Sequence, residues 1–220
     1  MPKRALIEHR PWLLASIAAA VAFYFLRDNP IGEIWLMPLK GAGVALLALY
    51  ALRRAGGTDG RLLGLALGLG AIGDMLIMLE VLWGGAAFFL AHVAAIALYI
   101  RHPREEPTGS QRAAALALLL VTPFLCWLLS GSVQVGLYGL SLGGMAAAAW
   151  LSRFPRYRVG AGAVLFVVSD LLIFGEMGPL ALDTLPGLLI WPLYYLGQFL
   201  IATGVVQTLR GERLATAWQQ

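Results

Sequence analysis

Charge is what this chain has least of. Of 220 residues only 13% are Asp, Glu, Lys or Arg, while 60% are hydrophobic. A soluble domain carries about 25% charged residues, so an ordinary soluble enzyme is excluded. Intrinsic disorder fails for the same reason, because too much apolar surface would stay in water. Cysteine is nearly absent as well. The single Cys126 rules out an intrachain disulfide. Histidine is scarce too: His9, His92 and His102 are all there are, and two of them fall at helix ends. A three-histidine metal site inside a membrane is therefore excluded, and nothing in the spacing asks for a mixed Asp/His site. There is no Gly-x-Ser-x-Gly elbow, no phosphate-binding loop and no dinucleotide fingerprint. Nor is there a basic stripe with interleaved aromatics for nucleic acid.

Long apolar runs are there instead. Between Arg112 and Arg153 forty residues pass without a charge. As one helix they would be about 60 Å long, about twice a hydrocarbon core. The run must turn, and Ser130-Gly131-Ser132 is the place for it. The chain reads as an all-α, polytopic membrane bundle of eight transmembrane helices, near residues 11–27, 34–53, 61–82, 85–101, 112–130, 133–152, 158–177 and 187–209. Residues 1–220 form a single integral membrane domain with no soluble domain left over. Lys3-Arg4 before the first apolar run imitates a secretion signal, but no convincing cleavage site follows, so the run reads as an uncleaved helix.

Fourteen of the sixteen basic residues fall at the N-terminus, in alternate loops or after the last helix. Arg27 is alone in the remaining loops, and Lys40 lies within a span. By the positive-inside rule both termini are cytoplasmic. The net charge of +4 is then a topology signal, and this Arg- and Ala-rich chain reads as a protein of a bacterial inner membrane. Trp12, Trp35, Trp83 and Trp191 fit an interfacial aromatic belt.

An internal repeat sets the architecture. Gly73-Asp74-Met75-Leu76-Ile77 through Glu80 in the third helix matches Ser169-Asp170-Leu171-Leu172-Ile173 through Glu176 in the seventh. Phe89-Leu90-Ala91-His92 is echoed by Tyr195-Leu196-Gly197-Gln198, with a longer loop around 178–186 absorbing the difference. The match implies a 4+4 duplication, about 11–101 and 112–209, with both halves in the same orientation. It places Asp74 and Asp170 at similar depth, near the midplane, with Lys40, His92, Tyr195 and Gln198 in the same layer. A carboxylate in mid-membrane costs at least about 2.5 kcal/mol on insertion scales, so both aspartates need a reason to be there. A purely structural pair is the bland alternative. Lys40 either snorkels to the interface or offsets the aspartates' charge. Tyr194 belongs to the same wall, and Glu80 and Glu176, six residues beyond their aspartates, read as rim residues. Gly64, Gly68, Gly139 and Gly143 have the spacing that lets helices approach closely.

These motifs resemble the YhhN family of integral membrane proteins, whose animal members are lysoplasmalogenases. The resemblance rests on Gly73-Asp74 with Leu76, on Phe89-Leu90-Ala91-His92 with Tyr99, and on Gly162-Ala163 leading to Phe166 and Ser169-Asp170. Tyr195 with Gln198-Phe199-Leu200-Ile201 and the membrane lysine Lys40 complete it. It runs from about residue 36 to 209. Two departures are local: Gly197 stands where Ala is expected, and Pro38 precedes Lys40 where Lys-Pro is expected. The resemblance implies hydrolysis of the vinyl-ether bond of a lysophospholipid, with Asp74 and Asp170 catalytic and Lys40, His92, Tyr195 and Gln198 on the substrate. It implies no cofactor; its partners are the lysophospholipid substrate and membrane lipid, not nucleic acid, and the oligomeric state stays open. A proton-coupled transporter is the rival, since repeats and midplane carboxylates are its vocabulary too.

Overall fold

A computed structural model of the chain describes residues 10–30, 32–178 and 184–217. Lys3, Arg4 and His9, and the middle of the long loop before the last helix, lie outside the described residues. The described elements are helical: α1 (Arg10–Leu26), α2 (Glu33–Arg54), α3 (Gly57–Leu76), α4 (Val81–Ile100), α5 (Gly109–Ser130), α6 (Val133–Leu151), α7 (Ala161–Met177) and α8 (Thr184–Ala217). A five-residue π-helical turn, Arg156–Gly160, leads into α7. The protein is a polytopic membrane bundle. Five segments, namely α2, α4, α5, α7 with its π turn and most of α8, are long and apolar enough to cross a membrane, and α1 is a shorter apolar helix. In lipid only a helix satisfies its own backbone groups, which is why these runs adopt no other form. Their outer faces stay apolar: Leu116, Leu120, Phe124 and Leu128 make an exposed stripe along α5, recurring every four residues.

The charge-free run turns where expected. α5 ends at Ser130, and Gly131 takes a left-handed φ of 69° while donating its N–H to the Trp127 carbonyl. Only glycine adopts that conformation without a steric penalty. At the other end of α5, Thr108 and Gln111 form a reciprocal capping box.

Two helix boundaries differ from expectation. α3 stops at Leu76, so Glu80 sits in the tight turn to α4 and not on the helix of Asp74. The reversal is made possible by Gly84, where a Cβ would lie 2.6 Å from that of Ile77. Glu176 does remain on the helix of Asp170. α8 continues past 209 to Ala217, carrying Glu212 back to Arg153.

The helices gather into two compact units, one ending at Ala91 and one beginning at His92, within α4. In the first, α2 packs on α1 and α3. Ser16 donates to the Gly43 carbonyl at 2.6 Å, and a Cβ on Gly41 would overlap Met75 of α3. In the second, α5 packs on α6, α7 on α8, and α7 on both α5 and α6. Gly64, Gly139 and Gly143 are at close helix contacts as expected. Gly68 is not, since a Cβ there meets nothing within 4 Å among the described residues. The tightest crossing of α7 and α8 is Gly162 against Gly197: a Cβ on either would stand 2.6 Å from the other's carbonyl oxygen. Local geometry thus accounts for Gly197, where the resemblance implies Ala. Gly197→Ala is expected to cost about 1–3 kcal/mol by overpacking, read as a lowered thermal midpoint in detergent. An unchanged midpoint would refute the crossing.

One end of the second unit is bolted together by arginines. Arg104 donates to the carbonyls of Ser152 (2.9 Å) and Phe154 (3.3 Å), and Pro103 pairs with Ser152 in a short antiparallel bridge. Arg153 donates to His102 Nδ1 and pairs with Glu212. Arg158 donates to Gln207. The connectors after α4 and α6 and the end of α8, which the charge pattern assigns to one side, therefore meet at one end of this unit.

Candidate functional site

Among the described residues each unit holds one buried aspartate, and the two have different company. In the first unit Asp74 lies on α3, 2% exposed, facing α2. Lys40 of α2 interacts with it electrostatically, and the Lys40 ammonium also sits 5.7 Å from the centre of the Phe23 ring on α1. The close Gly41–Met75 contact explains the pairing, because it brings the residues next to Lys40 and Asp74 within van der Waals reach. Lys40 is half-buried, so its stem covers apolar surface.

In the second unit Asp170 lies on α7, 6% exposed. The Tyr138 hydroxyl of α6 donates to its Oδ2 at 2.6 Å. Tyr138 is the hub of a buried cluster. Its ring lies 5.3 Å from that of His92 and 5.8 Å from that of Phe174, and its carbonyl accepts the Ser141 hydroxyl at 2.8 Å. Ser141 in turn meets His92 Nδ1 at 3.1 Å. His92 is 1% exposed and packs edge-on against Phe166 at 5.2 Å. Its Nε2 is buried with no hydrogen-bond partner among the described residues. Ser169, next to Asp170, is turned away and donates to the Ile190 carbonyl, a packing role.

Sequence reasoning missed Tyr138 and Ser141. Neither carries charge, and both sit in the long apolar run. The available signal was their spacing: three residues apart, they share a helix face. Asp74 thus faces a lysine of α2 and Asp170 a tyrosine of α6.

The remaining candidates are on α8. Gln198 is buried, one turn beyond Tyr194, and Tyr194 packs on Phe166 at 5.1 Å. Tyr195 points one step further round, half-buried, stacked on Trp191 at 6.2 Å and near Phe199. Trp191 itself is 5% exposed, inside this aromatic wall and not in an interfacial belt; Trp35 and Trp83, largely exposed, fit the belt. Cys126 is buried and free on α5. Among the described residues no three His, Cys, Asp or Glu side chains gather as they would around a metal ion.

A buried carboxyl held by one neutral donor, beside an imidazole with an open nitrogen, is equipped for proton transfer in a dry site. A carboxylate that faces a lysine offers a negative charge to a cationic centre.

The family model described as "YhhN family" matches residues 35–205. Two curated relatives, each named "Lysoplasmalogenase", come from Mycobacterium bovis and Mycobacterium tuberculosis. Each is 31% identical over 156 residues, which is 64% of this chain and 60% of the relative. The chain thus spans about three fifths of the length of the curated relatives it matches. No solved structure matches.

Proposed function

Because the chain belongs to the YhhN family, we propose that it is a membrane hydrolase cleaving the vinyl-ether bond of lysoplasmalogens to a fatty aldehyde and a glycerophospho-alcohol. The observation that carries the reading is the buried Tyr138–Asp170 hydrogen bond beside the open imidazole of His92. Vinyl ethers resist base and yield to acid. A carboxylic acid must protonate the β-carbon, which turns the enol ether into an oxocarbenium ion. Water adds to the cation, and the hemiacetal collapses. Glycosidases divide such work between a protonated and an ionised carboxyl group, and Asp170 and Asp74 are the candidates here. Asp170, whose neighbour is a neutral phenol, gives its proton from Oδ1 while Tyr138 holds Oδ2. Asp74, whose neighbour is an ammonium, is the anion that stabilises the cation. Lys40 is the group for the substrate phosphate. Gln198 and Tyr195 hold the glycerol hydroxyl, and Phe166, Tyr194 and Trp191 line the alkenyl chain. No cofactor enters the chemistry.

The test is fatty-aldehyde release from alkenyl-lysophosphatidylethanolamine and alkenyl-lysophosphatidylcholine by purified, detergent-solubilised protein. Stoichiometric aldehyde is expected with at least one headgroup. Silence from folded protein with both would end this reading and turn attention to proton-coupled uptake in proteoliposomes.

A further inference from the structure

The second unit holds a buried base whose protonation pattern is dictated by its neighbours. The Ser141 hydroxyl has one proton, and it goes to the Tyr138 carbonyl, which can only accept. The oxygen that Ser141 turns to His92 Nδ1 is therefore an acceptor, so Nδ1 carries the imidazole proton. Nε2 is then a bare lone pair. It is buried and has no partner among the described residues, a condition native structures seldom leave unexplained. The ring has little freedom to escape it, because Phe166 and Tyr138 hold it at 5.2 and 5.3 Å. The same Tyr138 binds the carboxyl of Asp170. One residue thus positions both the proposed acid, through its side-chain hydroxyl, and the imidazole, through its backbone carbonyl and Ser141.

We propose that His92 Nε2 is the general base that takes the proton of the attacking water, with Ser141 and Tyr138 as the positioning residues that fix its tautomer; this rests on the vinyl-ether reading above. Asp170 first transfers its proton to the β-carbon, leaving a carboxylate and an oxocarbenium ion. Water oxygen bonds to the cationic carbon as one water O–H bond breaks and its proton passes to Nε2. In the hemiacetal the carbon–glycerol oxygen bond then breaks. The glycerol oxygen receives the proton from Nε2, the hydroxyl proton returns to Asp170, and the aldehyde C=O forms. One water is consumed, and both groups end as they began.

Two measurements test this. The first reads the tautomer without activity. With three histidines in the chain, 15N NMR of histidine-labelled protein in detergent resolves His92, assigned by loss of its signals in His92→Gln and with His102→Gln as control. A protonated Nδ1 and a bare Nε2 are expected in wild type, and Ser141→Ala abolishes that preference while Ser141→Thr keeps it. A proton on Nε2 in wild type would overturn the proposal. The second measurement is chemical. His92→Ala loses about 10²–10³-fold in kcat with water as nucleophile. Azide adds to the cation with no proton to lose and Asp170 takes its next proton from solvent, so azide restores substrate consumption at least about tenfold, giving the α-azido ether. Azide leaves Asp170→Asn inactive, since no cation forms. A folded His92→Ala protein that azide does not accelerate, beside an active wild type, sinks the base assignment. Wild-type silence with the expected tautomer sinks the ether-hydrolase reading and the base role with it, leaving only the Ser141-fixed tautomer.

Discussion

Asp170→Asn and Asp74→Asn are each expected to lower aldehyde release by about 10²–10⁴-fold, the range for loss of a general acid or a charge aligned with the transition state. Both substitutions keep size and shape. In Asp170→Asn the side-chain amide still offers the Tyr138 hydroxyl an oxygen, so the 2.6 Å contact survives. What goes is the transferable proton, and no amide supplies it. At position 74 the amide keeps its volume against α2 but removes the negative charge that faces Lys40, so turnover falls without weaker binding of the substrate phosphate. The check is kcat and KM on protein that elutes as a single species and melts cooperatively. Near-normal activity in either variant refutes the paired-carboxyl assignment. A loss confined to Asp170→Asn would mean that Asp74 serves packing alone.

Tyr138→Phe isolates the hydrogen bond from the ring. Phenylalanine keeps the packing against His92 and Phe174 and removes only the donor to Asp170 Oδ2. A hydrogen bond to an ionisable group contributes about 1.5–3 kcal/mol, which corresponds to about a 10–100-fold fall in kcat if it orients the acid in the transition state. KM is expected to change little, because the phenol touches the acid and not the lipid. The diagnostic is the double variant. Added to Asp170→Asn, Tyr138→Phe is expected to produce almost no further loss, since both act on one proton transfer. Independent, multiplicative losses would show that Tyr138 acts elsewhere, and unchanged kcat in the single variant would show that the contact is structural only.

The charged and the uncharged candidate residues were not equally legible. Asp74, Asp170 and Lys40 stand out in any reading of the sequence, because a charge inside an apolar span is expensive and needs a cause. Tyr138 and Ser141 have no such cost. In a helix of Leu, Gly and Ala they look like ordinary interhelical glue, and only contact with His92 and Asp170 separates them from Thr122 or Ser169. Trp191 misled for the converse reason. Tryptophan favours membrane interfaces, yet on α8 it is buried beside Tyr194 and Tyr195.

By itself the sequence determined the class, the number of helices, the turn at Gly131 and the identity of the buried charges. Each of these follows from free energies summed over about twenty residues or from one large desolvation cost, and such terms are indifferent to the fine rotation of a helix. Only the tertiary structure decided that Asp74 has a lysine for company and Asp170 a tyrosine, and that His92 keeps Nε2 open. A hydrogen bond at 2.6 Å exists or not according to a fraction of a residue's 1.5 Å rise and 100° turn. Small-residue contacts set that rotation: Gly41 on Met75, Gly139 on Cys126 and Gly162 on Gly197 bring backbones together until side chains interlock. Periodicity predicts that such faces meet, and packing at those contacts selects which polar atoms touch.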